Sequence, residues 1–242
     1  MAIAHDNSIA TTWNVGKSGA VTTVAKTNTG SNLVLFVGAS TYSGSLITVS
    51  GITYNGVALT KINSISASLE GNQQDGELWY LDAPSTGANN IVCTFSAEAS
   101  NQRIAAASYT GKTSSGIDAN ATAQATTAVN PSPTCNVNVV ASDCWLVSYG
   151  YARTADPLVG VTGTTVRAVS SDGHCFGDSN GVVGTGNQTL LFKETDDEAR
   201  TWPAVCSASF SEAGGGGGGG SRPVKMAGYW AGYAGLSGGF AG

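Results

Sequence analysis

Short stretches rich in β-branched and aromatic residues recur along the chain, separated by clusters of Gly, Asn, Asp, Ser and Pro. This is the rhythm of strands and tight turns in a sandwich or barrel. It predicts strands over Val21 to Lys26, Asn32 to Ser40, Ile47 to Tyr54, Val57 to Ile65, Gly76 to Leu81, Asn90 to Ser96 and Arg103 to Tyr109. A second series covers Cys135 to Val140, Cys144 to Tyr151, Thr164 to Ser170, Gln188 to Lys193 and Val205 to Phe210. The sharpest local signal is Tyr54-Asn55-Gly56-Val57. There Asn-Gly suits the positive φ angles of a two-residue hairpin turn between two apolar segments.

Between the two series, Thr110 to Pro133 holds almost no large apolar residue and reads as a long surface connection. The second half looks like the first, and neither half shows an obvious closed core of its own. The expected fold is therefore all-β: an antiparallel two-sheet β-sandwich, jelly-roll-like, drawing strands from both halves. The expected organisation is an N-terminal segment over 1–20, a β-sandwich domain over 21–213 and an extended glycine-rich C-terminal arm over 214–242.

The arm is set apart by composition. Seven consecutive glycines, Gly214 to Gly220, precede a segment containing Tyr229, Trp230, Tyr233, Leu236 and Phe240. Such a linker is expected to be flexible. Aromatics on a free tail would be costly in water, so these four and Leu236 are expected to anchor in a groove on a neighbouring copy or on a partner, with Arg222 and Lys225 as polar contacts at its rim.

Composition narrows the function classes. Charged residues make up 11% of the 242 positions, and the eleven Lys and Arg are spread thinly under a formal net charge of -5. No basic stripe is available for phosphates, so no nucleic-acid partner is expected. The apolar run Asn32 to Ala39 falls far short of the roughly 20 residues that span a bilayer, so no membrane partner is expected either. The opening MAIAHDNS lacks the pattern of a secretory signal, which points to synthesis in the cytoplasm. Cys93, Cys135, Cys144, Cys175 and Cys206 are odd in number and show no CxxC spacing, which favours buried free thiols over a zinc site or disulfide scaffold.

Candidate chemistry is sparse. His174 and Cys175 adjoin, but neighbours on an extended segment point to opposite faces and share no proton. Asp172, Asp178 and Asn180 gather oxygen ligands suited to a hard cation, at a spacing that fits no standard calcium loop. The plainer reading is a solvated turn. The acidic run Glu194 to Glu198 reads as a charged loop between strands. Glu77, Asp82, Glu98 and Asp118 form no recognisable catalytic pair, and Trp79 and Trp145 alternate with apolar neighbours as core residues do. No enzyme activity, catalytic residue, cofactor or resident metal is expected.

The runs ITYNGVALTKI (Ile52 to Ile62), GELWYLDAPSTGANNIVCTFS (Gly76 to Ser96) and RIAAASYTGK (Arg103 to Lys112), closed by RTWPAVCSASFSEA (Arg200 to Ala213), resemble a β-sandwich module of phage and bacterial structural proteins. The resemblance spans residues 20 to 211 and rests on packing and turn residues. It implies a virion structural protein, decorating a phage head or forming part of a tail or neck, released by lysis, with copies of itself and other virion proteins as partners. A single module without a coiled-coil stem differs from long tail fibres. A carbohydrate-binding or adhesin-type module, with a host-surface glycan as partner, is the alternative.

Overall fold

The computed structural model describes residues 2–11, 19–69, 71–112, 116–124, 133–152, 157–161, 163–194 and 203–211. Every regular element among them is a β-strand, and every pairing is antiparallel. The first half holds β1 (Ala4–Ala10), β2 (Val21–Asn28), β3 (Val34–Ser43), β4 (Val49–Tyr54), β5 (Val57–Ala58), β6 (Thr60–Leu69), β7 (Asn72–Asp82), β8 (Gly87–Phe95) and β9 (Asn101–Thr110). The second holds β10 (Ala119–Gln124), β11 (Thr134–Val139), β12 (Cys144–Tyr151), β13 (Leu158–Gly160), β14 (Thr165–Val169), β15 (His174–Asp178), β16 (Gly186–Glu194) and β17 (Ala204–Ser211).

These strands build four sheets, where the sequence led us to expect two. Sheet β1-β9-β3-β7-β6 pairs with sheet β2-β8-β4-β5, and sheet β10-β17-β12-β15-β14 pairs with sheet β11-β16-β13. The second half thus repeats the strand order of the first, and each half closes an apolar core of its own. The two five-stranded sheets then face each other across a third core, which joins Val34, Phe36, Leu78 and Tyr109 to Trp145, Tyr149, Phe176 and Phe210. The layers therefore run four-strand, five-strand, five-strand, three-strand.

This layering explains two kinds of strand in one sequence. A strand in an inner layer is covered on both faces, so it reads as a continuous apolar run; β3 is buried from Val34 to Thr41 and β12 throughout. An outer strand has one wet face and alternates, as β2 and β11 do. The hairpin after Tyr54 forms as expected, with Asn55 at φ 49° and Gly56 at φ 76°, and Tyr54 pairs with Val57.

Some segments read as irregular are strands. The N-terminal segment contains β1, which borders β9; the connection after Tyr109 contains β10, which borders β17. The loop expected at His174 is β15, wholly buried between two layers. Small or polar residues concealed each of these, because tertiary neighbours rather than large apolar side chains hold them in place.

Candidate functional site

Polar and ionisable side chains collect at the seam between the two five-stranded sheets. Glycines on the first half make room for aromatics of the second. A Cβ at Gly38 would overlap the ring of Tyr149, and one at Gly76 would overlap the ring of Tyr151. With the rings so seated, their hydroxyls reach across the seam: Tyr149 Oη lies 2.7 Å from Ser40 Oγ, and Tyr151 Oη donates to the Ile65 carbonyl at 2.6 Å. Arg103 Nη1, on β9, donates to the carbonyl of Ala152 at 2.6 Å.

Asp178 anchors another stretch of the seam. Its carboxylate is fully buried and accepts from Tyr109 Oη at 2.8 Å, from Arg167 Nε at 2.7 Å, from Arg167 Nη2 at 3.0 Å and from the Asn180 amide at 2.8 Å. Arg167 Nη2 also donates to Asn180 Oδ1 at 2.6 Å. Burial, with the neighbouring carboxylate, pushes the Tyr109 phenol well above its ordinary range, so it stays a donor. The candidate cation ligands are therefore not brought to one point. Asp178 and Asn180 are spent on Arg167, while Asp172, before β15, accepts from the Ser170 hydroxyl and lies 3.9 Å from His174 Nδ1. No group of three or more His, Cys, Asp or Glu positioned to hold a metal occurs among the described residues.

His174 is fully buried against the Tyr149 ring, and burial, with the nearby Arg103 charge, lowers its pKa to about 3. Cys175 points the other way, into the core beneath β16, as the alternation of a strand requires. All five cysteines are buried and free. Trp79 and Trp145 are 8% and 7% exposed and belong to cores, as their spacing suggested.

Two further clusters lie within the first sandwich. Glu77, 1% exposed, accepts from Lys61 Nζ at 2.8 Å, Trp79 Nε1 at 2.9 Å and the Val49 amide at 3.1 Å. Asp75, two residues along the same strand face, takes a 2.6 Å bond from Ser66 Oγ; burial, with Glu77 beside it, raises its pKa to about 7. Nearer β1, Lys26 Nζ donates to Ser108 Oγ at 3.0 Å and to the Asn7 carbonyl at 3.1 Å, and Ser108 Oγ donates to Asp6 at 2.8 Å. Burial lowers the Lys26 pKa to about 8. A serine between an amine and a carboxylate has the makings of a nucleophile. Ser108 is fully buried, however, and the chain of bonds instead ties β1 and β2 to β9.

One concavity opens at the edge of the outer sheet, where β5 ends after two residues and β6 crosses to the other layer. It has a volume of about 430 Å³ and is lined by Ser50, Ile52, Thr53, Leu59, Trp79 and Thr94, among others. Tyr229, Trp230, Tyr233, Leu236, Phe240, Arg222 and Lys225 lie outside the described residues, as does the run from 195 to 198. Of the seam residues the sequence singled out His174 and Asp178, but not the glycines, Gly38 and Gly76, that receive the rings of Tyr149 and Tyr151. The signal for Gly38 is its place within the apolar run Leu33 to Ala39; Gly76 stands among polar residues, Gln74, Asp75 and Glu77, and carries no such mark.

Compared with protein-family profiles, with curated proteins and with solved structures, the chain gives no match in any of the three.

Proposed function

We propose that this is a non-enzymatic structural protein of a virus particle, assembling as a multimer through its C-terminal arm. The observation that carries the reading is the seam of tyrosines seated on glycines, which locks two sandwiches into one four-layer block of fixed shape. A block with buried thiols and buried tyrosine hydroxyls held in hydrogen bonds suits a building unit. The repeated strand order supports taking each half as a jelly roll: β1-β9-β3-β7 faces β2-β8-β4-β5, and β10-β17-β12-β15 faces β11-β16-β13. The sequence resemblance to phage virion modules points to head decoration or to a place in the tail or neck. The arm supplies the means of assembly, because a tethered second contact gains effective concentration without any new surface.

The test is native mass over a concentration series, for the full-length chain beside a chain ending at Ala213. Defined multimers for the first and monomers for the second are expected. Monomers for both, at every concentration, overturn assembly through the arm.

A further inference from the structure

The two outer sheets of the block differ in what they show to water. On β11 and β16 the outward positions carry three amides, Asn136, Asn138 and Asn187, beside Thr189 and Leu191, with Lys193 at the end. On β2, β4 and β8 they carry Val21, Thr23, Thr53, Val92 and Thr94 with one amide, Asn90, and no outward position of these three strands holds an ionisable group. Val21 is 55% exposed. The 430 Å³ groove adjoins this face, since Thr53 and Thr94 belong to both; Trp79, Ile52 and Leu59 form its apolar side, with Lys61 Nζ 5.2 Å from the centre of the Trp79 ring.

We propose that this face and its groove receive the aromatic end of the C-terminal arm of a second copy. The inference rests on the reading that the arm joins copies, and it names the surface that the arm meets. Three properties of the chain favour this occupant. The segment from Met226 to Gly242 contains no Lys, Arg, Asp, Glu or His, so burying it on the outward rows of β2, β4 and β8 strips no charged side chain of water. Its glycines let the backbone lie close to a sheet, and Tyr229, Trp230, Tyr233 and Phe240 bring aromatic surface to bury there. Reach is ample. The chain after Ser211 can extend about 100 Å at about 3.3 Å per residue, more than the width of a block of this size. The face opposite, with three amides and Lys193 against the one amide here, would have to give up more hydrogen bonds to water for the same contact.

The test uses the full-length chain carrying Thr53→Lys and Thr94→Lys together, both on strands whose inward neighbours are untouched. Its native mass is compared with that of wild type and of Asn138→Lys on the opposite face. The expected result is at least a tenfold rise in the concentration needed to form multimers for the double variant, with unchanged circular dichroism, and wild-type behaviour for Asn138→Lys. Should the double variant fail to fold, Thr23→Lys on β2 probes the same face. Wild-type mass for the folded face variant overturns this inference and leaves assembly through the arm standing. A wild-type chain that is monomeric throughout overturns both.

Discussion

The two sandwiches share a strand order but bring different side chains to the seam where they meet. At two points the first offers hollows, Gly38 and Gly76, that seat Tyr149 and Tyr151 of the second, while elsewhere both contribute rings, Phe36 and Tyr109 meeting Trp145 and Phe210. Two first halves would leave the hollows at Gly38 and Gly76 empty, so these two points favour the meeting of unlike halves. A repeated plan has thus become a single block through changes in side-chain volume, with the backbone order kept.

The largest effect should come from Arg167→Met. It leaves the buried Asp178 carboxylate without its cation at a point where the halves are joined through Tyr109, and breaking such a pair costs about 3–5 kcal/mol. Urea unfolding should show that loss, and Asp178→Asn in the same background should recover part of it. Next come Gly38→Ala and Gly76→Ala, each expected to cost about 1–3 kcal/mol by forcing a tyrosine ring from its seat. A double-mutant cycle of Gly38→Ala with Tyr149→Ala should be strongly non-additive, whereas additivity would mean that ring and glycine do not meet.

The halves also differ in how protons act on them. Unfolded, His174 takes a proton near 6.5; folded, only near 3, so between those values the unfolded chain binds more protons and stability falls as pH drops. Asp75 works in the opposite sense. Folded, it keeps its proton up to about 7, against 3.8 when unfolded, so its share of stability is complete below 3.8 and is lost as pH rises through 7. Each slope can approach about 1.4 kcal/mol per pH unit, and in the shared window from 3.8 to 6.5 the two oppose each other. Unfolding at several pH values should show His174→Gln losing the acid-side decline and Asp75→Asn losing the decline toward neutral pH. Equal profiles for both variants and wild type would contradict the burial of these groups. The smallest effect is expected of Tyr149→Phe, which removes only the hydroxyl contact with Ser40 and should cost about 1 kcal/mol by thermal or urea unfolding.

Much of the fold is legible in the chain because strand and turn chemistry are local. Asn55 and Gly56 supply the left-handed backbone that the hairpin needs, and the alternation along β2 and β11 exposes one face of each. The strands that escaped notice lack that local signature. β10 reads as a polar linker because its inward residues are Ala119, Ala121 and Ala123, small enough to fit beneath β11 and too small to announce a strand. His174-Cys175-Phe176-Gly177-Asp178 reads as a turn because Gly and Asp surround it, yet β15 lies between β12 and β14 with both faces covered. Of the candidate site, Asp172, Asp178 and Asn180 were visible as oxygen-bearing residues. Their engagement by Ser170 and Arg167 was not, since side-chain pairing across strands leaves no mark in spacing.

The chain by itself determined the all-β class, most strand positions, the Asn-Gly hairpin and the burial of Trp79, Trp145 and the five cysteines. These follow from a two-residue period, turn residues and the preference of apolar side chains for an interior. Only the tertiary structure decided that there are four sheets, that each half closes its own sandwich, and that Tyr149 and Tyr151 rest on Gly38 and Gly76. The reason is physical. Periodicity reports which side chains share a face of a strand, but which face meets which is settled by shape, and the volumes that must match lie far apart in the chain and touch only after folding.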